Sequence, residues 1–455
     1  MPLPSRTLNQ LRTALAVREV SSRELTEQAL EAATTSSEAA TTFVTVHAVT
    51  ARATADAIDT QRAAGLPLPP LAGIPISIKD LFDEAGQVTR AGSRVLADAE
   101  PASEDSPVVR RLRAAGAVIV GRTNMTEFAY SGLGLNPHYG TPRNPWDRAT
   151  GRIPGGSSSG AAVSVTDGMA AAAIGTDTGG SVRIPSAFCG LTGFKPTARR
   201  VPIDGVVPLA VSLDSVGPLA RSVDCCALLD AVMAGEAPAA APGPARAAPL
   251  TGKRLWVPRT LVFDGMDDAV GKAVETALRR LSAAGARLVD CQIPEFDDLA
   301  RINRLGGFAA AESWWWHARL IERRQAEYDP RVAGRIRRGA SFLAADYLTL
   351  LDERRRWIAA VTERLDGDLM LLPTLPLVAP PIDALLASDD AYGATNMLIL
   401  RNPSLINFLD GCALSLPCHA PGAAPVGLTL AGCSGQDAAV LSTGASVESA
   451  LARTD

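Results

Sequence analysis

The stretch Gly155-Gly156-Ser157-Ser158-Ser159-Gly160 sets consecutive hydroxyls on a backbone free to bend sharply. Downstream, Thr176-Asp177-Thr178-Gly179-Gly180-Ser181 forms a glycine turn that can aim several backbone N–H groups at one point, as an oxyanion requires, with another serine at its end. Three chemistries compete for the triple serine. A phosphate cradle needs G-x-x-x-x-G-K-[ST], but Ala161-Ala162-Val163-Ser164 follows Gly160 and supplies no lysine. Gly156 to Gly160 also fits G-x-S-x-G, the nucleophile elbow. That turn needs an apolar strand before it and an acid and a histidine after it, whereas a polar, proline-rich loop precedes it and only His317 and His419 follow. A flexible linker has the composition right and the neighbourhood wrong, because tightly packed small residues come next.

The elements that would hold these residues read as α/β. The first sixty or so residues look helical, with Ser22 as N-cap and Leu25, Ala29 and Leu30 at helical spacing. Residues 70–80 predict a buried strand whose apolar run ends in Lys79. Ser106 caps a helix with Pro107 at its first position, Gly116 turns the chain, and 117–120 predicts a strand. The segment around Gly285 repeats this helix–glycine–strand pattern. Residues 161–169 predict a close-packed helix, 171–175 a buried strand, and 369–382 a buried strand followed by a loop. Alanine and proline over 235–250 predict an exposed linker between two lobes, with strand-like segments on both sides.

The ordered set GGSSSG, GTDTGGSVRIPSAFCG and GFKPT, with PLAGIPISIKD upstream and GRTNMTEFAYSG (121–132) between, resembles the signature of the amidase signature family. Weaker pieces at 211–223, 369–382 and 425–432 extend the resemblance over nearly the whole chain. It implies one α/β domain over 1–455, a large mixed sheet covered by helices on both faces. Within it lie a helical region (1–65), a signature core (70–225) and a second part (251–455) shaping the substrate pocket. It also implies a Ser–cis-Ser–Lys triad without histidine: Ser181 as nucleophile, Ser157 as proton relay and Lys79 as general base, with hydrolysis of a carboxamide to an acid plus ammonia or an amine. Thr178, Gly179, Gly180 and Ser181 would supply the oxyanion donors, and Met125, Thr126 and Phe128 would touch substrate. The chemistry suits these residue types. A serine hydroxyl attacks once a base removes its proton, and a lysine is a base only when neutral, which burial at the end of an apolar strand favours.

Plainer roles exist for each. A lysine after a strand usually solvates the strand's end, Ser181 could cap the helix beyond it, and Ser158 is a neighbour of the triad. Asp177 and Arg183 are expected as a structural ion pair shaping the turn. Glu312 to Leu320, with Trp314 to Trp316, lines the pocket or packs on the core with one tryptophan exposed. Substrate choice is expected from the region of about 290–410. Within the family, the glutaminase subunit of the tRNA-dependent amidotransferase usually carries a YGR…SRYG-like stretch that residues 195–214 lack, which favours a stand-alone amidase. Biuret- or allophanate-type hydrolases are a further alternative.

Composition bounds the rest. Hydrophobic content of 47% with 20% charged residues describes a globular protein with a sizeable core. A net charge of -4 offers no electrostatic reason for nucleic acid or an anionic membrane as partner. The basic runs Arg335 to Arg338 and Arg354 to Arg356 read as solvated helix faces. Seven cysteines, Cys225 and Cys226 adjacent and the others scattered, predict reduced, mostly buried thiols in a cytoplasmic protein, and no signal-peptide or membrane segment is read. No cofactor or metal is expected. The partner is a small-molecule amide, and a homodimer is possible on the family's habit.

Overall fold

The computed structural model describes residues 3, 6–236 and 247–452. Its strands are β1 (Phe43–Val46), β2 (Pro75–Lys79), β3 (Val118–Thr123), β4 (Ala172–Thr176), β5 (Thr192–Lys195) and β6 (Val216–Ala220). Later in the chain come β7 (Arg254–Pro258), β8 (Arg287–Cys291), β9 (Leu369–Pro373), β10 (Cys412–Pro417) and β11 (Gly427–Gly432). They form one 11-stranded sheet in the order β1-β3-β2-β4-β6-β5-β10-β11-β9-β7-β8. The sheet is mixed: β2 runs parallel to β3 and β4, and β7 to β8 and β9, while the central pairs from β4 to β9 are antiparallel. Strands from both sides of the expected linker share this sheet, so the chain is a single domain.

The helices before the linker are α1 (Leu8–Ala16), α2 (Ser22–Thr35), α3 (Ala39–Thr42), α4 (Ala48–Ala63), α5 (Pro107–Ala114), α6 (Ser159–Thr166), α7 (Arg183–Cys189) and α8 (Val223–Ala234). After it come α9 (Asp268–Ala283), α10 (Asp298–Ile302), α11 (Gly307–Arg324), α12 (Pro330–Arg337), α13 (Ala344–Leu365), α14 (Ile382–Leu386), α15 (Asp389–Phe408) and α16 (Asp437–Leu451). Successive strand residues face opposite sides of a sheet. Every residue of β2, β3, β4, β5, β6, β9 and β11 is buried, so helices must cover both faces there. The two expected helix–glycine–strand units are the second halves of parallel crossovers, α5 into β3 and α9 into β8, each turning at a glycine with positive φ.

Several expectations shift by a residue or more. The N-cap of α2 is Ser21, whose hydroxyl accepts from Glu24 N–H in a capping box, with Ser22 as the first helical residue. The N-terminal region is not wholly helical: Phe43–Val46, β-branched at three of its positions, is an edge strand against β3. Of the linker, residues 237–246 lie outside the described residues. Its flanks are held: Gly235 ends α8 in the left-handed region, and Leu250 is buried. Arg354 is not on a solvated face. It is buried, stacks on Phe308 and Phe408, and donates to the Phe408 and Asn407 carbonyls and to Asp410 at 2.6 Å, whereas Arg355 and Arg356 are exposed. Arg335 also turns inward, to the Tyr130 carbonyl at 2.6 Å.

Candidate active site

Lys79 ends β2, the strand held between β3 and β4, and its side chain is fully buried. Nζ is hydrogen-bonded to Ser157 Oγ at 2.7 Å and to Thr176 Oγ1, at the end of β4, at 2.8 Å. Burial strips water from the ammonium and brings the pKa from 10.5 down to about 7, against the opposing pull of the Asp214 and Asp177 carboxylates. The Gly156–Ser157 peptide is cis. Its loop is pinned from both sides, Gly156 N–H donating to the Gly132 carbonyl at 2.7 Å and Thr126 N–H to the Ser157 carbonyl at 3.1 Å. The α6 helix that follows must approach closely: a Cβ on Gly160 would lie 2.3 Å from the Thr42 carbonyl oxygen. Only glycine fits there.

Behind Lys79 sits a buried charge network. Asp80 takes Arg122 Nε at 2.9 Å and Gly92 N–H at 3.1 Å, and Glu84 joins Arg122, His47 and Arg113. It fixes the chain just past the lysine.

The glycine turn is organised around the Asp177 carboxylate. It accepts from Gly180 N–H (2.8 Å), Val182 N–H (3.2 Å), Arg183 Nε (3.0 Å), Arg183 Nη2 (2.9 Å) and Asn407 Nδ2 (2.9 Å). Burial alone would raise its pKa. The charge and hydrogen bonds of Arg183, joined by Lys195 and Asn407, more than reverse that and hold it well below the usual carboxylate range. Asp177 and Arg183 are therefore a fully buried ion pair that shapes the turn and caps α7, a helix whose N-cap is Val182 and not Ser181. Thr178 is tied down separately, its hydroxyl donating to Asp214 Oδ1 at 2.5 Å. Burial pushes the Asp214 carboxyl up to about 6 in spite of the N–H groups of Leu209 and Ala210 that it also accepts. Gly180 has a φ of 122°, and a Cβ on it would meet Pro403 Cβ at 2.5 Å, so α15 closes directly over the turn.

Lys79, Ser157 and the 177–181 turn thus converge at the ends of β2 and β4. Ser158 N–H donates to the Ser181 carbonyl at 3.3 Å, which fastens the serine loop to the glycine turn. Among the described residues no hydrogen bond joins the Ser157 and Ser181 side chains. The Ser158 hydroxyl donates to the Thr176 carbonyl at 3.4 Å and makes no hydrogen bond to the lysine among the described residues.

Two expectations need correcting. Gly180 N–H is committed to Asp177, so the turn amides without an acceptor among the described residues are those of Thr178, Gly179 and Ser181. Phe128 does not face an open pocket. It is buried in an aromatic cluster with His317, Tyr328 and Trp316, its ring centroid 4.3 Å from that of His317. Met125 is likewise buried, against Gly92. Thr126 borders the serine loop, with its hydroxyl buried and unpartnered among the described residues. Sequence reasoning does not single out Thr176, Asp214 or Asn407. Thr176 stands within the GTDTGG motif, and its place at the end of a strand beside the lysine's is the available signal.

The chain belongs to the amidase family, matching it over residues 24–441. It is similar to a 2-amino-5-chloromuconic acid deaminase of Comamonas testosteroni, 39% identical over 386 residues covering 84% of this chain and 82% of the relative. It is also similar to a glutamyl-tRNA(Gln) amidotransferase subunit of Chloroflexus aggregans, 36% identical over 471 residues covering 96% of this chain and 95% of the relative. Among solved structures, that of an amidase superposes with a TM-score of 0.87 at 31% identity, covering 98% of this chain and 99% of the other. The protein is an amidohydrolase acting on C–N bonds. No helix among the described residues is long and apolar enough to cross a membrane.

Proposed function

We propose that the chain is a stand-alone amidase that hydrolyses a small-molecule carboxamide to a carboxylic acid and ammonia or an amine, through an acyl-enzyme on Ser181. Lys79 carries this reading: a fully buried amine with a pKa of about 7, hydrogen-bonded to Ser157 Oγ at 2.7 Å. Neutral Nζ accepts the Ser157 proton while Ser157 accepts that of Ser181, since a hydroxyl can do both. The Ser181–Ser157 contact closes in the substrate complex, as catalytic hydrogen bonds often tighten there. Ser181 Oγ then bonds the amide carbon, and the carbonyl π pair moves onto oxygen. The N–H groups of Thr178, Gly179 and Ser181, which have no acceptor among the described residues, receive that charge. Collapse breaks the C–N bond as the proton returns from Lys79 through Ser157 to the leaving nitrogen. Water repeats the cycle on the ester, with the same base.

Free cysteines throughout fit a reducing, cytoplasmic setting. The test is ammonia release from a panel of amides by the purified chain beside Ser181→Ala. Loss of about 10⁴-fold or more in the variant, with its fold unchanged, is expected; wild-type activity in Ser181→Ala would sink the assignment. A second reading, an amidotransferase glutaminase subunit, draws on the 36% identity over 96% of the chain. It predicts ammonia release from glutamine only when partner subunits are added.

A further inference from the structure

Helix α15 lays one face against the glycine turn. Asn396, Leu400 and Ser404 follow at four-residue steps and share that face, which Asn407 continues. Asn396 accepts Gly132 N–H at 2.9 Å, in the loop that holds Gly156, and Asn407 Nδ2 donates to the Asp177 carboxylate at 2.9 Å. Leu400 and Ser404 stand between these two anchors. A Cβ on Gly132 would lie 3.3 Å from Leu400 Cδ2, and a Cβ on Gly179 would lie 3.6 Å from the same atom. Leu400 therefore borders both the loop that leads to Ser157 and the turn that leads to Ser181.

Within the turn, Thr178 and Ser181 are 5% and 3% exposed and Gly180 is buried, whereas Gly179 is half-buried. Apart from its chain neighbours, just two described atoms come within 4 Å of where a Gly179 Cβ would stand: Ser404 Oγ at 3.1 Å and Leu400 Cδ2 at 3.6 Å. On Gly180 the same position is filled by Pro403 and Ile184. Gly179 thus meets solvent beside Leu400 and Ser404, which are themselves half-buried. Its N–H is one of those proposed to hold the oxyanion, so the group attached to that carbonyl meets these two side chains first. One is an alkyl group. The other is a hydroxyl that donates to the Gly179 carbonyl at 3.4 Å. Ile184 and Ile399 back Leu400, their Cδ1 atoms 3.0 and 3.2 Å from the Gly132 Cβ position, so the wall is apolar and the room shallow. Arg401, the next residue, is hydrogen-bonded to Asn402 Oδ1 at 3.0 Å and to the Val262 carbonyl at 3.4 Å.

On the amidase reading above, we infer that Leu400 and Ser404 are the specificity-determining residues: they form the wall against which the acyl group of the amide packs, and they admit a short, uncharged aliphatic one. The wild-type enzyme prefers propanamide to phenylacetamide and to succinamate, measured as kcat/KM for ammonia release. Leu400→Ala raises the phenylacetamide-to-propanamide ratio about tenfold, and Ser404→Leu lowers the propanamide-to-acetamide ratio about tenfold. That is the scale of the discrimination of about 10–200-fold that one methylene makes in an apolar site. Both residues are half-buried helix positions, and a urea midpoint near that of the wild type shows that each variant has folded. Ammonia release with ratios that neither variant moves overturns the wall and leaves the amidase reading standing. A wild-type preference for succinamate does the same, because it needs a cation such as Arg401 against the acyl group. Silence of the wild type toward every amide overturns the amidase reading and the wall with it. Ser181→Ala, run beside them, tests that reading independently of either ratio.

Discussion

Replacing Asp214 by asparagine removes one of the two carboxylates that face Lys79. The other, Asp177, is locked to Arg183 and Asn407, whereas Asp214 is held by the neutral donors of Thr178, Leu209 and Ala210, with Glu312 as the charged group opposing it. A negative neighbour favours the ammonium and so raises the lysine's pKa; deleting it lowers the pKa further below the wild-type value of about 7. For a single proton at about 7, the neutral, reactive lysine is about 9% of the enzyme at pH 6 and about 91% at pH 8, so kcat/KM of the wild type climbs about tenfold over that range. In Asp214→Asn the acid limb moves to lower pH and the climb from 6 to 8 shrinks. The plateau changes by less than about fivefold, because the asparagine carbonyl still accepts the N–H groups of Leu209 and Ala210 while its NH₂ donates to the Thr178 hydroxyl. Asp214 titrates near 6 in the wild type, so that limb belongs to the interacting pair, and the comparison of two enzymes needs no finer assignment. The assay is kcat/KM for ammonia release from pH 5 to 9 at constant ionic strength. An acid limb that stays in place, or moves to higher pH, would refute the placement of Asp214's charge against the base. A merely structural role for Asp214 would lower the plateau and leave the limb where it was.

Ser157→Ala should cost about 10³-fold or more in kcat, and Ser158→Ala less than about tenfold, because the Ser158 hydroxyl makes only a long bond to the Thr176 carbonyl; steady-state kinetics giving the reverse order would show the triple serine to be read in the wrong register. Arg183→Met leaves the Asp177 carboxylate buried without its cation and should lower unfolding stability by about 3–5 kcal/mol, read from the urea midpoint. A midpoint within error of the wild type would mean that the pair does not hold the turn.

The parts of the site that are legible in sequence are those with local signatures. Glycines on either side of serines, and an apolar run ending at Lys79, are written in consecutive residues, and so are Ser106-Pro107 and the glycines that turn helices into strands. Edge strand β1 escapes because its four residues are too few to show a period. Phe128 reads as a substrate contact from its place in a motif; its actual neighbours, His317 and Tyr328, come from about two hundred residues further on, and nothing local announces them. Gly180 reads as an oxyanion donor when the turn is taken as backbone alone, without the carboxylate at its start that claims that N–H. Arg354 looks like one of three solvated arginines, and only the tertiary fold separates the one that meets Asp410.

The same distance explains how specificity and chemistry are joined. Asn407 of α15 donates to both the Asp177 carbonyl and its carboxylate at 2.9 Å, and accepts Arg183 Nη2 at 2.7 Å, while the Pro403 carbonyl takes the same guanidinium at 3.0 Å. Ser404 reaches the Gly179 carbonyl at 3.4 Å. The turn that presents Ser181 is therefore clamped by a helix from the part of the chain expected to choose the substrate. On its N-terminal side that helix also fastens the loop before the serine stretch, Asn396 accepting from Ser131 Oγ and Gly132 N–H. Gly132 in turn holds Gly156, the residue before Ser157. One helix thus grips both the turn of the proposed nucleophile and the loop of the proposed relay, so repacking α15 to admit a new substrate would reach the geometry around Lys79, Ser157 and Ser181 without touching any of the three.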